Sequence, residues 1–185
     1  MRNLIEVLNE VVHPRYKLDP SSSLTILETS PDTATRQTRC RQVTILGAGQ
    51  VCALSLDNRG LEPFPFLQDV SNVKMKNDAI VFCKCDDRLY LLVIELKSGN
   101  AKEGVKQLRA GKLFADYLLG LVDMHYPGVD TRSLETKYII FSRDPRKNVQ
   151  KKADHKSRKA SYVNEKGLPV AFVDCKDKYE LRYFI

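Results

Sequence analysis

Two carboxylic acids and one lysine stand where a β-hairpin would bring them together. Asp78 precedes one β-like run of apolar residues, and Glu95 and Lys97 close the next such run. If Asp86-Asp87 forms a two-residue turn between the runs, opposed residues have numbers that sum to 173, which sets Asp78 opposite Glu95. Side chains alternate along a strand, so Lys97 shares the face of Glu95. The sequence therefore predicts two carboxylates and an ammonium group at the open end of a hairpin.

The second run carries apolar residues on both faces. Leu91 and Val93 would share the face of Glu95, and the residues between them are apolar as well. This pattern is typical of a central strand that is covered on both sides. A charge at the end of such a strand is costly unless it is paired or bound to a metal. From the charges alone, a simple ion pair with Asp78 at an exposed strand end is the alternative.

The pattern Asn77-Asp78, a hairpin and Glu95-Leu96-Lys97 resembles the PD-(D/E)XK nuclease superfamily, whose fold is called restriction-endonuclease-like. The matching stretch extends from Asn77 to about Leu121 and, more loosely, to Ser142. Asn77 stands where the motif usually has proline. The resemblance implies an α/β fold in which helices flank a mixed central β-sheet.

The resemblance also implies roles for the residues of the motif. Asp78, Glu95 and the Leu96 carbonyl would hold Mg²⁺ or Mn²⁺, cations that prefer oxygen ligands. Lys97 would orient or activate the attacking water, and the products would carry a 5′-phosphate and a 3′-hydroxyl. Members of the superfamily often have a glutamine on the following helix, which corresponds here to Gln107; a solvated helix residue is the alternative.

An acid on an early helix reaches the metal in many members of the superfamily. Glu10 or Glu6 would take this place here, although an acid in a first helical turn is equally well explained by the helix dipole.

The rest of the chain also fits an α/β pattern. Besides the hairpin, we predict helices at Leu4–Val12 and from Asn100, with Glu103 in a capping box, to about Leu121, and strands at Leu24–Glu28, Val43–Leu46, Val51–Leu56, Lys137–Ser142, Leu168–Asp174 and Tyr179–Ile185.

Length and composition favour a single domain over residues 1–185, with an N-terminal elaboration (1–76) and a nuclease core (77–185). The chain is 43% hydrophobic and 29% charged, which excludes disordered, collagen-like and coiled-coil classes. We find no apolar run long enough to span a membrane and no signal peptide. Five scattered cysteines suit reduced thiols, so we expect a cytoplasmic protein without a zinc site.

The net charge of +7 favours a phosphate-bearing partner. Residues 143–166 contain nine basic and three acidic residues, and so hold most of this surplus. We interpret the segment as a track for the DNA backbone, with RNA as the other option; a solvated basic segment is the alternative. The basic residues are Arg143, Arg146, Lys147, Lys151, Lys152, Lys156, Arg158, Lys159 and Lys166.

Two other functions compete with a nuclease. The run Gly47-Ala48-Gly49-Gln50 resembles a dinucleotide-binding turn, but Cys52 occupies the third glycine position, so we read residues 47–50 as a hairpin turn. The second is a catalytically inactive nuclease fold that binds nucleic acid within a larger complex. Because binding alone would need none of Asp78, Glu95 and Lys97, we predict a Mg²⁺-dependent phosphodiesterase, endonucleolytic, whose specificity comes from homodimerisation or a protein partner.

Overall fold

A computed structural model of the chain describes residues 2–19, 23–28, 40–47, 49–58, 60–97, 103–142, 159–175 and 178–185. Within these ranges the chain forms two α-helices and nine strands, and the predicted α/β class is therefore confirmed. The helices are α1 (Leu4–Val11) and α2 (Gly104–His125). The strands are β1 (Ser23–Leu27), β2 (Gln42–Leu46), β3 (Gln50–Leu54), β4 (Ala79–Cys85), β5 (Arg88–Lys97), β6 (Glu135–Ser142), β7 (Tyr162–Glu165), β8 (Leu168–Asp174) and β9 (Lys178–Glu180).

The larger sheet has six strands in the order β3-β4-β5-β6-β8-β7. Strands β3, β4 and β5 are antiparallel neighbours, β5, β6 and β8 are parallel, and β7 is an antiparallel edge strand. The predicted hairpin register is confirmed for every pair from Ala79–Ile94 to Cys85–Arg88. Asp86 and Asp87 both have positive φ, 47° and 62°, as the tightest hairpin turns require.

The six-stranded sheet is covered differently on its two faces. Helices α1 and α2 pack on the face that carries Leu91 and Val93. The other face, which carries Leu92 and Ile94, packs against a smaller sheet with the strand order β1-β2-β9. Strand β5 is thus covered on both sides as predicted, but within the described ranges helices flank only one side of the sheet.

The prediction of a hairpin turn at residues 47–50 is wrong. Strand β2 pairs with β1 and β9, whereas β3 pairs with β4 in the other sheet. The burial of the two strands explains the difference: β3 is buried at four successive positions, 51–54, and needs two covered faces, while β2 alternates. Gly47 and Gly49, with φ of 68° and 57°, lie where the chain passes from one sheet to the other.

Other element boundaries also differ from the predictions. Helix α2 has Glu103 as its N-cap, without a side-chain cap, and continues past Leu121 to His125; Asn100 lies outside the described residues. Strand β7 was not predicted, because a half-buried edge strand lacks a long apolar run. The C-terminal strand is only three residues long and is followed by a 3₁₀ turn at Leu181–Tyr183.

Helix α2 lies close against the open end of the β4–β5 hairpin. A Cβ atom added to Gly111 would come within 2.6 Å of Asn77 Cγ and 2.8 Å of Val93 Cγ1, so only glycine fits there. At Gly104 the added atom would be 3.3 Å from Glu95 Cγ and 3.4 Å from Lys97 Cε. The first turns of α2 therefore form one wall around these residues. None of the described helices is both long and apolar enough to span a membrane.

Candidate functional site

Buried polar side chains are concentrated at the open end of the β4–β5 hairpin. Polar side chains are rarely buried unless they have partners or a function. Four of the five buried polar or charged side chains among the described residues belong to the hairpin's open end or to β6 beside it. The four are Asn77, Asp78, Glu95 and Ser142, and the fifth is Ser55.

Asp78 ties the start of β4 to the end of β5. Asp78 as a whole is 5% exposed, and its Oδ2 accepts a hydrogen bond of 2.6 Å from the backbone N–H of Leu96. Burial raises the pKa of Asp78 well above its usual range, and the neighbouring charges of Glu95 and Glu28 raise it further. The Leu96 hydrogen bond and the Lys97 ammonium oppose this shift without cancelling it.

Lys97 and the backbone N–H of Asp78 both favour the ionised form of Glu95 by lowering its pKa. Its carboxylate is almost completely buried, and Oε1 lies 2.9 Å from Lys97 Nζ, whereas Oε2 is buried without a hydrogen-bond partner. Burial raises the pKa of Glu95 to about 7 even though the Lys97 ammonium lowers it. A buried acceptor atom without a partner costs about 1–3 kcal/mol, so its presence calls for a ligand or another explanation.

Two further acids converge on Asp78. Glu28, Asp57 and Asp78 each offer a carboxylate oxygen, and the three oxygens lie within 4.8 Å of one another. Glu28 follows β1 of the smaller sheet and Asp57 follows β3, so the cluster forms where the two sheets meet. Neither Glu28 nor Asp57 was predicted as a site residue. Both are the first acid after an apolar strand, which is the only signal that the sequence offers for them.

This donor set fits a hard divalent cation. The donors are carboxylate oxygens, the ligand type that Mg²⁺ and Mn²⁺ prefer. The three grouped residues include no cysteine or histidine. The upward pKa shifts of Asp78 and Glu95 reflect burial first and then repulsion from neighbouring carboxylates, with Glu28 acting on both; a bound cation would offset both causes by favouring the ionised forms. Glu95 is not one of the three grouped residues, but its buried and unpartnered Oε2 is a further acceptor at the same open end of the hairpin.

The remaining predicted site residues lie on β5, α2 and α1. Leu96 is fully buried and supplies its N–H to Asp78. Gln107 is half-buried, one turn after Gly104. Glu6 completes a capping box with Asn3, and Glu10 forms an exposed ion pair of 2.6 Å with Arg2. The acids that the structure groups with Asp78 are thus Glu28 and Asp57, rather than Glu6 or Glu10.

Most of the predicted basic track lies outside the described residues. Of its nine basic residues, the structure describes Lys159 and Lys166, and both are exposed. Lys166 lies in the β7–β8 turn, where its backbone carbonyl accepts a hydrogen bond from the Arg109 guanidinium. The residues outside the described ranges are Arg143, Arg146, Lys147, Lys151, Lys152, Lys156 and Arg158.

The cysteines take no part in the acidic cluster as donors. All five are free thiols, and four of them are buried. Burial raises the pKa of Cys52 to about 11 and that of Cys83 to about 12, so these thiols stay protonated at neutral pH. Their environment is that of small apolar core residues.

Comparisons with known proteins add no relative from which a function could be transferred. The chain matches no protein-family model, and no curated protein or solved structure matches it significantly.

Proposed function

We propose that the chain is a Mg²⁺- or Mn²⁺-dependent nuclease of the PD-(D/E)XK type that hydrolyses phosphodiester bonds within DNA. One observation carries the proposal: buried Glu95 has one oxygen held by Lys97 and the other without a partner, next to a cluster of carboxylates around Asp78. An ion pair at an exposed strand end would be solvated, whereas this one is buried. The simple ion-pair alternative therefore explains less of the geometry.

The order of elements supports a restriction-endonuclease-like core. Helix α1 and the strands β1 and β2 of the smaller sheet precede the antiparallel strands β3, β4 and β5, which are followed by α2 and by β6, parallel to β5. The acids of the motif lie at the open end of β4–β5, and α2 starts beside them. This agrees with the strand–turn–strand–helix–strand context in which the motif has meaning.

Asp78 and Glu95 would hold the cation, with Glu28 and Asp57 completing the oxygen set. When bound, the cation would lower the pKa of a water molecule and stabilise negative charge on the reacting phosphate. The carboxylates must be ionised for this purpose. Lys97 favours the ionised form of Glu95, since its ammonium lowers the pKa that burial raises.

Lys97 has a second role in the proposal. Its side chain is 20% exposed, compared with 2% for that of Glu95, so the ammonium lies at the boundary between the buried site and solvent. A positive charge in this position stabilises the negative charge that develops on a phosphate during attack by water. An ammonium group has hydrogen-bond donors and no acceptor, so Lys97 can also orient that water by donating a hydrogen bond to its oxygen.

The net charge supports a nucleic acid as the substrate. The chain carries +7, and residues 143–166, which follow β6 directly, hold a surplus of six positive charges. Contacts between lysine or arginine and backbone phosphates make affinity fall steeply with salt. We propose DNA as the substrate, and RNA is an arm of the test below.

The test compares cleavage of plasmid, linear duplex, single-stranded DNA and RNA in Mg²⁺ and in EDTA. Glu95→Gln and Lys97→Ala should each lower the cleavage rate by about 10³-fold, because several kcal/mol of transition-state stabilisation are lost. The matched controls are Asp87→Asn and Lys84→Ala, which change an acid and a lysine that also lie 2.9 Å apart, at the other end of the same hairpin. Both controls should cleave like the wild type.

Two results would contradict the proposal. Cleavage that persists in EDTA, or that is unchanged in both Glu95→Gln and Lys97→Ala, would exclude this site as the catalytic centre. Salt-sensitive binding without cleavage of any substrate, under Mg²⁺ and Mn²⁺ alike, would favour an inactive binding subunit. Cutting of covalently closed plasmid would establish endonucleolytic action, since an exonuclease needs an end.

A further inference from the structure

The outer face of helix α2 carries a stripe of large apolar side chains in solvent. Leu113, Tyr117 and Met124 are 71%, 61% and 70% exposed, and Gly120 lies between the last two. Because these four positions recur every three or four residues, they lie on one side of the helix. Single exposed apolar residues are common, but a continuous stripe of them marks an interaction surface. We call these four residues the α2 stripe.

No residue of the described ranges packs on Gly120 in a way that would require a glycine there. Glycine within a helix is about 1 kcal/mol less favourable than alanine. At Gly111 in the same helix the cost has a reason, since a Cβ atom there would clash with Asn77 and Val93. At Gly120 an added Cβ would meet nothing within 4 Å. The open surface at Gly120 therefore suits a close approach from outside the chain.

The spacing of the α2 stripe is symmetric. The intervals from Leu113 to Tyr117, Gly120 and Met124 are four, three and four residues. In an antiparallel pair of such helices, the alignment that sets Tyr117 level with the partner's Gly120 also sets Leu113 level with the partner's Met124. Every member of the stripe then faces another member, which is the self-complementarity that a twofold interface requires.

The charges along α2 are complementary in the same orientation. The exposed or half-buried charges of its first half are the cations Lys106, Arg109 and Lys112, and those of its second half are the acids Asp116 and Asp123. An antiparallel pair places each basic half beside the acidic half of its partner. Lys112 is paired with Asp116 of its own helix and Asp123 with Arg132, and with a rise of 1.5 Å per residue Lys112 would also be about 3 Å along the axis from the level of the partner's Asp123. A parallel pair would instead oppose like charges.

We propose that two copies of the chain associate through the α2 stripe, antiparallel about a twofold axis, with the Tyr117 ring of each packed on Gly120 of the other. The occupant of the surface is thus a second copy. The face used is the solvent face of α2, whereas Glu95 and Lys97 lie against the buried face of the same helix. Association and cleavage are therefore separable.

The test measures sedimentation equilibrium of the full chain without nucleic acid over a wide range of protein concentration. The wild type should show a monomer–dimer equilibrium. Tyr117→Glu should raise the dissociation constant by about 30-fold or more, since an aromatic side chain at the centre of an interface is a typical hot spot. Phe66→Ser changes an aromatic residue that is 78% exposed outside the α2 stripe, and it should leave the equilibrium unchanged.

Gly120→Ala separates association from folding, because the two effects should have opposite signs. The added methyl group favours the helix, so the melting temperature of the monomer should rise by about 2–4 °C. The same methyl group should weaken the dimer by about tenfold, because it occupies the surface on which the partner's Tyr117 packs. A wild type that stays monomeric at every concentration would overturn the proposal. A dimer whose affinity is unaltered by both Tyr117→Glu and Gly120→Ala would overturn it as well.

Discussion

The two ends of the β4–β5 hairpin both carry two carboxylates and a lysine, but in opposite surroundings, and the turn end also has Arg88. At the turn end the carboxylates are exposed, whereas at the open end they are buried beneath helix α2 and beside the smaller sheet. The turn end consists of Lys84, Asp86 and Asp87, and the open end consists of Asp78, Glu95 and Lys97.

Each end has a lysine–carboxylate ion pair of the same length, but the pKa of the carboxyl group shifts in opposite directions at the two ends. Lys84 Nζ lies 2.9 Å from Asp87 Oδ1 and lowers the pKa of that exposed carboxyl. Lys97 Nζ lies 2.9 Å from Glu95 Oε1, yet the pKa of Glu95 rises to about 7 because burial outweighs the attraction. Burial, rather than the presence of acid and lysine side by side, therefore distinguishes a candidate site from a surface ion pair.

The largest difference between the two ends should appear in cation binding. Asp78→Asn removes a carboxylate from the cluster with Glu28 and Asp57, and it should weaken Mn²⁺ binding by about 100-fold or more. Asp86→Asn, which changes an exposed acid paired with Arg182 at 2.8 Å, should bind Mn²⁺ like the wild type. Isothermal titration calorimetry measures both affinities without reference to any substrate.

Equal Mn²⁺ affinities for the two variants would show that the open end holds no cation. The proposed nuclease function would then lose its cofactor site. The experiment is informative even if no cleavage is found, since a nuclease fold that binds nucleic acid passively has no need for the cation.

The comparison also shows which part of the site can be read from the sequence. The hairpin is a local feature, and its register follows from the two-residue turn, so the proximity of Asp78 to the end of β5 was predicted and is confirmed by its hydrogen bond to Leu96. Glu28 and Asp57 reach the same place from β1 and β3. Their convergence depends on how two sheets pack, and no local pattern encodes that.

The fold was predictable to a similar extent. Strands with apolar residues on both faces, such as β5, were assigned to the centre of a sheet and lie there. The separation of β2 from β3 was missed, because two strands joined by a short glycine-containing link look like a hairpin until their pairing partners are known. The edge strand β7 was missed because its half-buried residues lack a clear period.

A smaller difference should appear in the dependence of stability on pH. The pKa of Glu95 is about 7 in the folded chain, against 4.5 for an ordinary glutamate. Between these values the folded state binds more protons than the unfolded state, so the free energy of unfolding falls as pH rises through this window. The contribution of Glu95 to this change is about 3 kcal/mol for the protein in EDTA. Chemical denaturation at a series of pH values measures it.

Glu95→Gln should flatten this dependence, leaving the contribution of Asp78, whose pKa is also raised. Asp87→Asn, the control from the turn end, should keep the full slope of the wild type. Saturating Mg²⁺ should reverse the trend above neutral pH, because the cation binds the ionised carboxylates and stabilises the folded chain. A slope that is the same in Glu95→Gln as in the wild type would mean that Glu95 is not buried as the structure has it.

The smallest pH effect on stability is expected at the turn end of the hairpin, where Asp87 makes the free energy of unfolding rise with pH instead of fall. The pKa of Asp87 is lowered in the folded chain by its hydrogen bond with Lys84, so the folded state binds fewer protons than the unfolded state as the solution is acidified. The stabilisation from this pair is present above the ordinary pKa of aspartate and is lost as pH falls through the lowered value. Asp87→Asn should therefore reduce the melting temperature slightly near pH 6 and by progressively less as the pH falls below the ordinary pKa of aspartate. Because the pair is exposed, added salt should screen this small difference, whereas the pH dependence from Glu95 should persist in the same salt. If salt abolished both, the open end would be as solvated as the turn end, and its acids would be no better placed to hold a cation.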